Sequence, residues 1–403
     1  MSLYHNLSEE QVIFRDSIRR FAEEYITPIA QELDEKEEFS IELTKKFAEF
    51  GFLGTFLPSE YGGLALDYLS YILLVEEIAR VDVSQALTIA AHNSYGIAPI
   101  YHFGNAEQKS KYLPQLAKGK LWSLGYSECN YSADIRNVDT VAEKSEDNHW
   151  VLNGSKVFVS NAATELSIGA TVIAGSANRL DKKTKRQITE YSLFLIEKGA
   201  PGYRAAPVKN RSALRASNIA TIDLDECKIP AENLLGQEAE GNALLQKCLD
   251  NGRLAYSAIG LGLAQAAFDY ALKFANNHKY SGKTVSTNQS IAFKLADIQV
   301  GIELARTYLY DACRLVEIGE NVSMRSTVAR LYCSELAQLA VEHCIHIVGI
   351  NGLMKDSKIE RFYRNQRALQ IIEGSSDFNR SSIASMLGCF DKLNFEVKES
   401  KKV

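Results

Sequence analysis

The stretch ALQIIEGSSDFNR, residues 368–380, sets a lone carboxylate, Glu373, between an apolar run and Gly-Ser-Ser. Desolvation disfavours the charged form of a carboxylate and moves its pKa up toward neutrality. A carboxylate in that condition suits the removal of a weakly acidic proton. The same residues allow a plainer reading, in which Glu373 ends one segment and Ser375 or Ser376 caps the next helix. A second pair, Asp250 and Arg253 in LDNGR, is spaced to share one helix face. Exposed pairs of that kind are common and weak, so its spacing alone assigns it no task.

The elements that must position these residues fall into three blocks. Residues 8 to about 118 repeat apolar residues every three to four positions, as in VIFRDSIRRFAEEYI and DYLSYILLVEEIARV, which predicts helices. From about 120 to 235 the runs are short and β-rich, such as HWVLNGSKVFVSN and EYSLFLIEKG, and are broken by turn residues, which predicts an antiparallel β-domain. From about 240 the helical period returns in longer, bundle-forming segments. The chain is therefore expected to be an α+β multidomain protein, with a helical domain over 1–119, a middle β-domain over 120–239 and a helical bundle over 240–403.

Composition narrows the function. The 403 residues are 46% hydrophobic and 24% charged, the profile of a globular protein, with a formal net charge of −5. That charge gives no general attraction to nucleic acid or anionic membrane, and no run of consecutive apolar residues is long enough to span a bilayer. The N-terminus runs directly into a helical pattern, so reduced cytoplasm is the expected compartment. The seven cysteines show no Cys-x-x-Cys spacing, and His343 and His346 lack accompanying carboxylates, so no metal site is expected. SGKT at 281–284 lacks the upstream glycine of a phosphate loop, and GLGLAQ sits inside a helical pattern, where Gly260 and Gly262 suit close helix packing.

Six collinear phrases then point to one family. FLGTFLPSEYGGLALDY, FGNAEQKSKYLPQLAKGK, WVLNGSKVFVSNAA, IPAENLLGQEAEG, FKLADIQ and ERFYRNQRALQIIEGSSDFNRSSIA stand in the order and at the spacing of the acyl-CoA dehydrogenases, and nearly the whole chain resembles that family. The resemblance implies the same domain order, ending in a C-terminal four-helix bundle. It also implies FAD-dependent α,β-dehydrogenation of an acyl-CoA or acyl-carrier-protein thioester to the trans-2-enoyl thioester. Glu373 would be the base, with its backbone N–H aimed at the thioester oxygen. Some relatives carry the base on a long helix just before an arginine, but here that position is Gly252. Asp250, Arg253 and Gly374 match substrate-side positions. Phe158 and Ser160 in FVSN, together with Tyr126 and Ser127, match positions around the flavin ring, and Ser375 and Gly349 match cofactor positions. AAHNSYGIAP is similar to short-chain members. The implied partners are an electron-transferring flavoprotein and further subunits, as a homotetramer or as a heteromer with a paralogue.

The phosphate end of the cofactor site departs from the family. SECNYSAD, residues 127–134, puts Ser132 and Ala133 where the family has Gly and Ser. His278 stands in place of an arginine that reaches the neighbouring subunit's flavin, Ser281 in place of a phenylalanine, His346 in place of a glutamine and Ile350 in place of a glycine, while Gln289 is kept. A permanently charged bidentate donor thus gives way to an imidazole that is largely neutral at pH 7. Three outcomes follow: weaker or altered FAD binding, completion of the site by a paralogue, or a flavin-free thioester-binding or structural subunit.

Overall fold

The computed structural model describes residues 7–130, 137–180 and 187–389. Among the described residues the N-terminal block holds α1 (Glu9–Phe21), α2 (Ala30–Lys36), α3 (Ile41–Glu49), α4 (Tyr68–Ala79), α5 (Val83–Ala91), α6 (Ala98–Phe103) and α7 (Ala106–Ala117). Side-chain caps define their starts. Ser8 and Gln11 form a reciprocal capping box at α1, Asn105 and Gln108 form another at α7, and Asp67 and Asp82 cap α4 and α5. Between α5 and α6 the chain winds as a π-helix over His92–Ile97, and every residue of that turn is buried. A π-turn inserts an extra residue and re-aims the side chains around it, and such turns recur at functional sites.

The middle block is built from β1 (Leu121–Gly125), β2 (Val141–Lys144), β3 (His149–Ser160), β4 (Ser167–Leu180), β5 (Gln187–Glu197), β6 (Tyr203–Pro207), β7 (Ile219–Pro230) and β8 (Leu234–Leu235). The strand order is β6-β7-β3-β2-β4-β5-β8, with β1 also paired to β4. Most pairings are antiparallel as the alternation predicts, but β1 and β2 both run parallel to β4. The parallel pairing of β1 is long-range: Leu121–Gly125 lies beside Ser167–Val172. Alternation within a strand reports which face is buried and carries no information on the direction of a neighbour that distant in sequence.

After the small β9 (Lys279–Tyr280) and β10 (Lys283–Thr284) hairpin lie the long α9 (Gln289–Glu317) and α10 (Ser323–Val348), followed by α11 (Lys358–Leu369) and α12 (Ser376–Met386). Ahead of that hairpin, α8 (Gly241–Asn277) runs for 37 residues through the middle of the molecule and packs on α4, α9 and α10. It is buried on most sides, and two of its glycines permit close approach. A Cβ at Gly260 would lie 2.8 Å from the Cys333 carbonyl oxygen of α10, and one at Gly262 would lie 2.3 Å from the Glu76 carbonyl oxygen of α4. Residues 323–353 are long and apolar enough, by length and composition, to cross a membrane. In this fold one side of that segment packs against α8 and α9.

Two hydrophobic cores result. One joins both helical blocks and includes Leu74, Ile78, Leu254, Ile259, Ile302 and Val341; the other lies within the sheet around Trp150, Leu152, Val172, Phe194 and Ile222. A buried polar cluster ties α4 to α9: Glu76 accepts from Arg306 Nε at 3.1 Å and Nη2 at 2.9 Å, and from the Tyr310 hydroxyl at 2.7 Å. Fully buried charges persist only when paired and hydrogen-bonded in this way.

Candidate active site

Where helices, sheet and bundle meet, the fold leaves a cleft of about 590 Å³. Its walls come from α5 and the π-turn (Leu87, Ala91, Tyr95), from β1 and the residues after it (Leu124, Tyr126, Ser127), from the end of β3 (Val157, Phe158, Ser160), from Tyr256 of α8 and from residues 371–374. That size is ordinary for a small-molecule or cofactor site.

Glu373 sits on the turn between α11 and α12 in the left-handed region, at φ +57°, and Gly374 continues it at φ +87°. A non-glycine residue held there is uncommon and persists only where its surroundings impose it. Arg330 of α10, buried beneath the turn, helps to impose it by donating from Nη2 to the Leu369 carbonyl oxygen and, at 2.7 Å, to the Ile372 carbonyl oxygen. The backbone N–H of Glu373 engages no carbonyl among the described residues, which leaves it open to an acceptor from outside the chain.

The carboxylate itself is held by phenols. The Tyr95 hydroxyl donates to Oε2, and the Tyr126 hydroxyl donates to Oε1 at 3.0 Å. Burial pushes the Glu373 pKa above the ordinary carboxylate value; the two phenols, Arg253 and Arg330 pull against that shift without cancelling it. A hindered, raised carboxylate in a cleft is the condition a base for a weakly acidic C–H needs.

Tyr126, Ser127, Phe158 and Ser160, the positions matched to the flavin ring, lie on the same cleft. Phe158 is 71% exposed despite being an aromatic residue near the sheet core, because a bulge in the β3–β7 pairing between Lys156 and Val159 turns it outward at φ +56°. An exposed ring beside the Ser160 hydroxyl, on a wall opened by a strained backbone, suits a planar heteroaromatic ring with polar edges. The donor set fits a flavin there. Behind it, Glu128 anchors the segment after β1 that carries Tyr126 and Ser127. It accepts from Lys156 Nζ at 2.5 Å and from the Thr140 backbone N–H at 3.1 Å, with both charged side chains buried.

Family comparison agrees with this geometry. The chain matches the acyl-CoA dehydrogenase N-terminal domain over residues 8–120, the middle domain over 123–227 and the C-terminal domain over 239–388. The chain belongs to the acyl-CoA dehydrogenase family. It is 34% identical to a short-chain-specific acyl-CoA dehydrogenase of Clostridium acetobutylicum, covering 95% of this chain and 99% of that relative. Among solved structures it superposes on the butyryl-CoA dehydrogenase of Megasphaera elsdenii with a TM-score of 0.89 at 30% identity, over 96% of this chain and 100% of that one. It also resembles a prolyl acyl carrier protein oxidase, with a TM-score of 0.88 at 26% identity, over 95% and 100% of the two chains. Helical, sheet and helical domains in that order are the architecture expected of an acyl-CoA dehydrogenase.

The remaining sequence-derived positions divide sharply. Asp250 and Arg253 form a buried pair on α8, with Nη1 to Oδ1 at 2.8 Å, and Asp250 also accepts from Gln246 at 2.7 Å and from Ser323. An exposed helical pair is thereby excluded, but neither residue lines the cleft; Arg253 acts on Glu373 and Tyr126 through its charge. Gly374 lines the cleft, whereas Ser375 spends its hydroxyl capping α12, accepting from the Phe378 N–H at 3.1 Å. His278, Gln289, His346 and Gly349 are all exposed and none lies on the cleft. His278 instead stacks on Phe274 with ring centroids 3.8 Å apart. Ser132 falls outside the described residues. Sequence reasoning missed Tyr95, Tyr256 and Arg330. The available signal was Gly252, at the position that carries the base in some relatives: a Cβ there would lie 2.3 Å from the Tyr95 hydroxyl oxygen.

Proposed function

We propose that this acyl-CoA dehydrogenase oxidises a short acyl thioester between its α and β carbons, with Glu373 as the base. The observation that carries this reading is one carboxylate, raised in pKa by burial, on the wall of a cleft that also presents Phe158 and Ser160. The Glu373 carboxylate takes the α proton; the Cα–H bond breaks and an O–H bond forms on the side chain. The free Glu373 N–H donates to the thioester oxygen as negative charge builds there. A bound flavin supplies the acceptor for the hydride that leaves the β carbon. Leu87, Ala91 and Leu124 give the acyl chain an apolar wall and exclude water from the reacting carbons.

FAD is the flavin in this reading, held less firmly than in most relatives because the cross-subunit contacts are weakened. The thioester is carried by coenzyme A or by a carrier protein, and electrons pass to an electron-transferring flavoprotein in the cytoplasm. Self-association follows from the outward stripe Phe293, Val300 and Leu304 on α9, each 59–60% exposed at near-helical spacing. A homotetramer covers that stripe with copies of this chain, whereas a heteromer covers it with a paralogue. The test is anaerobic addition of butyryl-CoA to flavin-loaded protein. Bleaching of the flavin band with appearance of the enoyl thioester is expected, and an unchanged spectrum with a range of short thioesters, on both carriers, overturns the reading.

A further inference from the structure

The geometry points to Tyr95 and Tyr126 as positioning residues that grip opposite oxygens of the Glu373 carboxylate and set its proton affinity. This inference rests on the assignment of Glu373 as the base. Each phenol reaches the carboxylate from a different part of the fold, Tyr95 from the π-turn at 92–97 and Tyr126 from the residue after β1. Among the described residues neither hydroxyl donates to a second acceptor, and the Ser127 side chain that also bonds the Tyr126 hydroxyl does so as a donor.

The surroundings are built to admit Tyr95. Gly252 of α8 leaves the space its hydroxyl fills, since any side chain at 252 collides with it. Gly96, the next residue of the π-turn, is equally constrained, because a Cβ there would lie 2.5 Å from the Trp122 carbonyl oxygen. Phenylalanine would pack in the same space, so packing alone does not account for the hydroxyl. A buried phenol hydroxyl is tolerated where it has an acceptor, and here the acceptor is the base.

Two donors on one carboxylate fix its rotamer, and the left-handed backbone at Glu373 leaves little freedom to recover a lost alignment. They also stabilise the anion. The groups facing Glu373 are Tyr95 from the π-turn, Tyr126 after β1, Arg253 and Tyr256 from α8, and Arg330 from α10. Burial and the nearby carboxylate push the Tyr95, Tyr126 and Tyr256 hydroxyls well above the ordinary phenol value, so they remain neutral donors across the working pH range. Deleting one donor removes support from the ionised form only. The Glu373 pKa then rises further, and the base is protonated over a wider span of acid and neutral pH.

The experiment reads that pKa directly. The carboxylic acid C=O stretch of Glu373 is followed by infrared difference titration in flavin-free protein, assigned by its loss in Glu373→Gln. Tyr126→Phe and Tyr95→Phe are each expected to raise the midpoint by about one to two pH units. The acid limb of kcat/KM in the loaded enzyme should move up by the same amount, with kcat falling more than KM changes. Should Tyr95→Phe fail to fold, Tyr126→Phe alone decides, because its side chain borders the open cleft. Midpoints and pH profiles equal to wild type overturn the proposal while leaving the dehydrogenase reading intact. A shifted midpoint in a protein that oxidises no thioester supports the phenol grip and removes the catalytic role instead.

Discussion

At the end of the cleft that holds Glu373, side chains from separate stretches of the chain converge in a largely buried setting: Tyr95, Tyr126 and Tyr256 meet around the Glu373 carboxylate, with Arg330 beneath. The positions matched to the phosphate end, His278, Gln289, His346 and Gly349, stand at the ends of α8, α9 and α10, exposed and off the cleft, and Ile350 beside them is 74% exposed. In the proposed function, the first half of the site is formed by one chain's own core and the second half by what docks against it. Buried polar groups must find partners within the fold, so they are arranged before any ligand arrives, whereas exposed groups are satisfied by water and stay uncommitted until a surface covers them.

Three substitutions sharpen or break that contrast. Glu373→Gln should lower kcat on the order of 10²–10⁴-fold while flavin retention, read from the visible spectrum after gel filtration, stays at the wild-type level. A matching loss of flavin would mean that the two ends are not separable. Lys156→Met strands Glu128 as a buried carboxylate without its cation, behind the segment that carries Tyr126. The cost should be about 3–5 kcal/mol in urea denaturation. A cost of about 0–1 kcal/mol, as for surface pairs, would show that the end holding Glu373 is not braced from behind. His278→Arg restores a permanently charged, forked donor at the phosphate end and should tighten FAD binding about ten-fold or more in titrations of flavin-free protein. No change would mean that this surface does not meet the cofactor.

Much of the fold was legible because its signals are local. Helical periodicity needs only neighbouring residues, and so does the alternation that marks the strands. The parallel placement of β1 and β2 against β4 was not legible, since it depends on partners far away in sequence. Within the site, Glu373 stood out by its oily approach, and Phe158 and Ser160 by a matched turn. Tyr95 did not, because a tyrosine in a buried helical stretch reads as core until the π-turn is seen to aim its hydroxyl at a residue 278 positions away.

The amino-acid order alone determined the family and the domain order and singled out Glu373 as the candidate base, since each rests on residue types at fixed short spacings. Tertiary structure decided that Asp250 and Arg253 are buried rather than exposed, that Ser375 is spent as a cap, and that two phenols hold the Glu373 carboxylate. Burial and hydrogen-bond partnership are set by what lies across a contact, and those neighbours come from parts of the chain that no local spacing relates.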